Sequence, residues 1–123
     1  MERFLTILAC IDGRIHPLLQ KFLNENYGGY YIDVITAPGI VGKLFSSDKL
    51  FAEPITKACE ISVSAHQSEQ IILVAHSDCA GNPVPDEVQV KQLQAVAENL
   101  QSRFGFRVVR LFIITDKAKI IQV

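Results

Sequence analysis

Two short polar stretches hold the residues best suited to chemistry: Cys10-Ile11-Asp12-Gly13-Arg14 and His76-Ser77-Asp78-Cys79-Ala80-Gly81. Each follows an apolar run without a break, Phe4 to Ala9 in one case and Ile71 to Ala75 in the other. Cys10, His76 and Cys79 make a Cys2His donor set. The His-x-x-Cys spacing lets two ligands from one turn reach a common ion, while Cys10 approaches from a neighbouring strand. Thiolate and imidazole donors suit Zn²⁺. Three protein ligands leave a fourth position for water or a carboxylate, the pattern of a catalytic zinc site rather than a closed structural one. The bland alternative makes Cys10 and Cys79 small core hydrophobes and His76 a loop residue bonded to backbone. Each residue alone fits that alternative. The three together, with Asp12 and Arg14 alongside, do not.

A different use of the first stretch makes Cys10 a nucleophile and Arg14 an oxyanion binder, as in phosphatase- or sulfurtransferase-like loops. Such a loop wraps its anion with several backbone amides, but only three residues separate Cys10 from Arg14, and Asp12 would repel the anion. Without Cys10 beside it, the Asp12/Arg14 pair would read as a surface ion pair worth ~1 kcal/mol or less.

The elements that must position these residues alternate between strand and helix. Phe4 to Ala9 is apolar enough for a strand covered on both faces. A helix is expected from about Pro17, with Leu18, Leu19, Phe22 and Leu23 at helical spacing and Gly28-Gly29 ending it. Tyr30 to Ile35 reads as a second strand, followed by Ala37-Pro38-Gly39 and a loop through Gly42 and Ser46-Ser47. A second helix is expected near Glu53-Pro54, carrying Ile55, Ala58, Cys59, Ser62 and His66 on one side. Ile71 to Ala75 is the third strand. Asp86 is placed to cap a third helix with the stripe Leu93, Val96, Ala97, Leu100 and Phe104. Val108 to Thr115 gives a fourth strand, and Ile120 to Val123 a short edge strand. The expected architecture is α/β: three layers, a mostly parallel central sheet of about four or five strands, and helices on both faces. In such sheets ligands bind beyond the carboxyl ends of the strands, where both polar stretches fall.

The chain has 123 residues, 49% of them hydrophobic and 20% charged, a globular composition that fits one domain over residues 1–123 and excludes disorder. Twelve basic and 13 acidic residues leave a net charge of −1, with no bulk attraction for nucleic acid or anionic lipid. No apolar run approaches the roughly 20 residues that span a bilayer, so no membrane partner is expected. The short apolar start running into Cys10-Ile11-Asp12 is read as a first strand rather than a secretory signal, and a cytoplasmic location is expected. Three cysteines at positions 10, 59 and 79 do not make a disulfide framework. Cys59 reads as core, His66 as a cation at a helix C-terminus, and His16 as a capping or solvated residue near the Arg14 loop. Either histidine offers a less favoured role as proton shuttle. Gly39 and Gly42 hint at a phosphate cradle, but no Lys-Ser/Thr pair follows them.

Cys10-x-Asp12-x-Arg14 followed by His76-x-x-Cys79-x-Gly81 resembles the β-class carbonic anhydrase family. The likeness runs from about residue 4 to 115 and includes Ala37-Pro38-Gly39, similar to the family's Gly-bearing turn after its second strand. It implies a sheet of order 2-1-3-4, with zinc held by Cys10, His76 and Cys79. It further implies that Asp12 accepts a hydrogen bond from zinc-bound hydroxide, or ligates the metal in a closed resting form, with Arg14 holding Asp12 off the metal. The implied activity is that of a hydro-lyase in which the hydroxide attacks CO2 to give bicarbonate. Ala75 and Ala80 stand where the family has glycine, Thr36 to Gly39 replace an Arg-Asn-Ala-Gly stretch, and the chain is shorter than typical members. These departures keep two alternatives in view: another small linear substrate such as carbon disulfide, or a zinc-binding homologue without turnover. Strand edges at Leu111 to Ile114 and in the Ile120–Val123 tail lead to an expected homodimer or higher homo-oligomer.

Overall fold

The computed structural model describes residues 2–46 and 48–123. Its elements run β1 (Phe4–Ala9), α1 (His16–Asn26), β2 (Tyr31–Thr36), α2 (Ile40–Ser46), α3 (Lys49–Ala65), β3 (Ile71–His76), α4 (Asp86–Phe104), β4 (Val108–Ile114), a 3-10 turn at Thr115–Lys117 and β5 (Lys119–Gln122). The five strands form one sheet of order β2-β1-β3-β4-β5. The first four are parallel, and β5 returns antiparallel along β4.

Hydrophobic pattern dictates this arrangement. Every residue of β3 is buried, as its unbroken apolar run requires for a central strand between two helical layers. One face of the sheet packs Leu5, Ile7, Ile72, Val74, Leu111 and Ile113 against Leu19 and Leu23 of α1. The other packs Leu8, Ile71, Leu73 and Ala75 against Ile40 and Val41 of α2, Ile55 and Cys59 of α3, and Leu93, Val96 and Leu100 of α4. Right-handed crossovers put α1 on one face and the later helices on the other, so the winding reverses between β1 and β3. That switch point is where the loops after Ala9 and His76 diverge.

Thr6, the one polar residue of β1, is fully buried and satisfied. Its hydroxyl donates to Ser68 Oγ at 2.7 Å and lies 2.6 Å from Ser62 Oγ, which donates to Asp33. His66, the C-cap of α3, pairs through Nδ1 with the same Asp33 carboxylate at 2.6 Å and stacks on Phe4. This network lies at the amino end of the sheet, remote from Cys10.

Four details differ from the sequence expectations. Residues 40–46 are a helix rather than a loop, because Ile40 and Val41 find the core; Ser47 of the expected loop lies outside the described residues. The next helix starts at Lys49, more than a turn before Pro54, because Asp48 caps it: its carboxylate accepts the Leu50 N–H at 3.1 Å. Pro85, not Asp86, is the N-cap of α4, and Asp86 opens the helix with no side-chain capping bond. The run Leu111 to Ile114 is not a bare edge, since β5 pairs along it and Leu111 and Ile113 are buried. Among the described residues no helix is long and apolar enough to cross a membrane. Asp48→Ala should cost about 1 kcal/mol of stability through loss of the cap, read as a lower urea midpoint at unchanged slope.

Candidate metal centre

Beyond the carboxyl ends of β1 and β3, Cys10 Sγ, Cys79 Sγ and a ring nitrogen of His76 lie within 4.8 Å of one another, and all three residues are buried. The two sulfurs are 3.8 Å apart. His76, the last residue of β3, is 1% exposed. Its Nδ1 sits 2.8 Å from the Ser77 carbonyl oxygen, which can only accept, so Nδ1 carries a proton and Nε2 is the nitrogen left to offer a lone pair in the neutral ring. That Nε2 is buried without a hydrogen-bond partner. Orphaned buried ring nitrogens are rare and call for an explanation. A metal-ligating histidine ordinarily donates its other N–H to a carbonyl or carboxylate, as here.

The sulfurs are equally suited to an ion. Burial, and then the Cys10 sulfur, push the Cys79 thiol above its ordinary value, while the backbone N–H groups of Gly81 and Asn82 pull it down. Gly39 N–H donates to Cys10 Sγ at 3.3 Å. Side by side in a dry pocket the two sulfurs could ionise only with a compensating cation, which a divalent metal would provide. The void among the three side chains measures about 10 Å³ and is lined by apolar Ile40, Val41 and Val74 as well as by the candidate ligands. It has room for one ion or one water. A far larger cleft, about 770 Å³ along α3 and α4, shares no residue with the cluster.

Backbone-to-backbone contact presses the turn between β2 and α2 against the loop that carries Cys79, and the same turn reaches Cys10 through the Gly39 N–H. A Cβ on Gly39 would lie 2.3 Å from the Gly81 carbonyl oxygen, and one on Gly81 would lie 2.6 Å from the Gly39 nitrogen. The glycine at position 39 therefore serves close approach rather than a phosphate cradle. The left-handed residue of the second loop is Asp78, at φ 53°, while neither Ala75 nor Ala80 has a positive φ. An aspartate tolerates that conformation, so the two alanines in place of glycine cause no strain at the turn.

Asp12 and Arg14 form a tight pair on the loop that follows Cys10. Arg14 donates to Asp12 from its backbone N–H at 2.9 Å, from Nε at 3.1 Å and from Nη2 at 2.7 Å. The same guanidinium reaches across to the other loop, donating to Asp78 Oδ2 at 3.2 Å and to the Asp78 carbonyl at 3.0 Å. Arg14, first through its side chain and then through its amide, holds the Asp12 carboxyl well below the usual carboxylate range, and His76 adds to this. A lowered folded-state value means the pair contributes stability in full above the ordinary carboxylate pKa of about 3.9, and loses it as pH falls through the lowered value. In metal-free Arg14→Gln protein the Asp12 titration, followed by carboxyl ¹³C NMR, should move up toward about 3.9. An unmoved titration would show that Arg14 is not what holds it down.

The remaining sequence candidates fall elsewhere. His16 opens α1 and its Nε2 lies 2.9 Å from the Cys10 carbonyl oxygen, so the ring braces the Cys10 loop. His66 is committed to Asp33 at the far end of the sheet. Cys59 is 1% exposed in the core, its thiol pushed up to about 11 by burial. Sequence reasoning passed over Asn82 and Gln89, which line the void. A carboxamide in a helix carries no signal of its own until the fold shows that it faces inward.

A family model described as "Putative carbonic anhydrase" matches residues 1–123. Among solved structures, the chain resembles the β-carbonic anhydrase CcaA, with TM-score 0.62 and 15% identity over 99% of this chain and 74% of that one. A tetrameric β-carbonic anhydrase from the filamentous ascomycete Sordaria macrospora gives TM-score 0.60 and 14% identity over 100% and 82%. The β-carbonic anhydrase CafA of the fungal pathogen Aspergillus fumigatus gives TM-score 0.55 and 14% identity over 99% and 76%. At such identities these likenesses bear on the fold. No curated protein matched the chain.

Proposed function

The chain belongs to the "Putative carbonic anhydrase" family, which matches it from end to end, and from that premise we propose that it is a zinc-dependent hydro-lyase converting carbon dioxide and water to bicarbonate. One observation carries the reading: the unpartnered Nε2 of buried His76, its Nδ1 committed to a carbonyl, set beside two buried sulfurs. Cys10, His76 and Cys79 would hold the zinc. Bound there, zinc supplies a Lewis acid that lowers the pKa of water from about 15.7 toward about 7.

The rest of the chemistry falls to the chain's own side chains. Asp12, kept ionised by Arg14, can only accept hydrogen bonds, so its carboxylate selects an oxygen that still carries a proton and orients it for attack. Arg14 spends its planar fork on Asp12 and Asp78, which fixes the carboxylate in one orientation where a lysine would leave it free to turn.

The tetrameric state of the Sordaria macrospora β-carbonic anhydrase supports assembly of this chain with copies of itself, as do the exposed Tyr31 and Val34 on the outer strand β2. The free cysteines fit a reducing compartment such as the cytoplasm.

The test is zinc content and CO2 hydration of one sample purified under reducing, chelator-free conditions. About one zinc per chain is expected, together with hydration that chelation removes and added zinc restores. Zinc without hydration would favour the second reading, a non-catalytic metal protein or one acting on another small linear substrate. Protein that takes up no zinc would overturn both.

A further inference from the structure

Gln89 sits on the first turns of α4 and is 1% exposed. Its Nε2 donates to the His76 carbonyl at 3.0 Å and to the Asn82 carbonyl at 3.2 Å. Both partners can only accept, so the orientation of the carboxamide is fixed and both of its protons are used. These two carbonyls open and close the loop that presents two of the three candidate ligands. Asn82 is held in turn: its Nδ2 lies 3.4 Å from Gln89 Oε1 and donates to Gln92 Oε1 at 2.8 Å. Gln89 also lines the void beside Cys10, His76 and Cys79.

A glutamine buried this deeply is costly unless every polar atom is answered, and an apolar side chain would fill the space without that demand. Its geometric effect is to tie residues 76 and 82 to one rigid point on a long helix. We propose that Gln89 is a positioning residue for the metal centre: by clamping both ends of the ligand loop it sets the direction of His76 Nε2 and the approach of Cys79 Sγ. The proposal rests on reading the Cys10–His76–Cys79 cluster as a metal site. Carboxamides from a neighbouring element can orient ligands as effectively as the more usual carboxylates, and loss of such outer partners weakens metal binding about 10–100-fold.

The experiment compares wild type, Gln89→Met and Leu93→Ala. Methionine keeps the length of the side chain and removes both donors. Leu93, one turn further along α4 and fully buried, belongs to the core on that face and touches no ligand in the hydrogen-bond network. Zinc affinity is measured by competition with a chromophoric chelator, and the coordination by the absorption spectrum of the cobalt(II)-substituted protein. Gln89→Met should bind zinc about 10–100-fold more weakly and alter the cobalt bands, whereas Leu93→Ala lowers stability and leaves both readouts at wild-type values. Should Gln89→Met not fold, Gln89→Asn carries the same comparison, since its carboxamide falls one methylene short of the two carbonyls. Wild-type affinity and an unchanged cobalt spectrum in the Gln89 variant would overturn the clamp while leaving the metal reading intact. Wild-type protein that binds neither metal would overturn the metal reading itself and, with it, the purpose assigned to Gln89.

Discussion

His76→Ala protein, purified under reducing conditions, is expected to carry less than about a tenth of the zinc of wild type. Three ligands are the minimum set for a catalytic zinc, and the two remaining sulfurs cannot close a tetrahedral site around the ion by themselves. The substitution also opens a cavity in a residue position that is 1% exposed, so some destabilisation accompanies it. Cys79→Ser separates the two effects. It changes one atom and little volume, yet replaces a sulfur that binds zinc as thiolate by a hydroxyl that does not readily lose its proton, and zinc should fall to the same level. Cys59→Ala supplies the opposite control: this cysteine is buried in the core on the α3 side of the sheet, outside the cluster, and its loss should leave the metal in place. Elemental analysis on samples matched by circular dichroism reads all three. Zinc retained in both His76→Ala and Cys79→Ser would mean that the ion sits elsewhere.

The residues of this cluster were legible in the sequence because Cys10 and His76 each follow directly on an apolar run and Cys79 lies three residues beyond His76. An unbroken run such as Ile71 to Ala75 fixes a central strand, and the carboxyl end of a central strand in a doubly wound sheet is a defined place. That Cys10 and His76 meet follows from β1 and β3 being neighbours, which the register Thr6↔Ile71 through Leu8↔Leu73 shows directly. Helix starts were less legible. Asp48 and the apolar pair Ile40-Val41 outweighed the glycine at 42 and the proline at 54, since a cap and two buried side chains stabilise a turn more than one poor helix former disfavours it. Least legible were the parts that depend on what two distant segments do to each other. Gly39 meets Gly81, and Gln89 meets the His76 and Asn82 carbonyls, across sequence separations that no local pattern encodes. Asp78 as the left-handed residue was equally hidden, since nothing in the local pattern distinguishes it from the other residues of the loop.

Gly39→Ala is the change that tests this hidden contact. Alanine at φ 56° costs about 1–2 kcal/mol from backbone sterics alone. Its Cβ would also lie 2.3 Å from the Gly81 carbonyl oxygen, 2.4 Å from the Gly81 carbonyl carbon and 2.8 Å from the Asn82 nitrogen. All three are backbone atoms, so no side chain can swing aside and the loops must part. Parting them withdraws the Gly39 N–H from Cys10 Sγ and moves the Gly81 and Asn82 amides that favour the Cys79 thiolate. One methyl group should therefore lower stability by about 3 kcal/mol or more and weaken zinc binding on the order of 10–100-fold. Gly13→Ala makes the comparison within the same site, because Gly13 has an ordinary φ and nothing within 4 Å of the added carbon. That variant should stay within about 0.5 kcal/mol of wild type. Urea unfolding and chelator competition on the two proteins give the answer together. Equal behaviour would show that Cys10 and the Cys79 loop hold their places without the contact, whereas a loss confined to Gly39→Ala would show that the turn after β2, pressed against the Cys79 loop and bonded to Cys10 Sγ, holds the two sulfurs at their spacing.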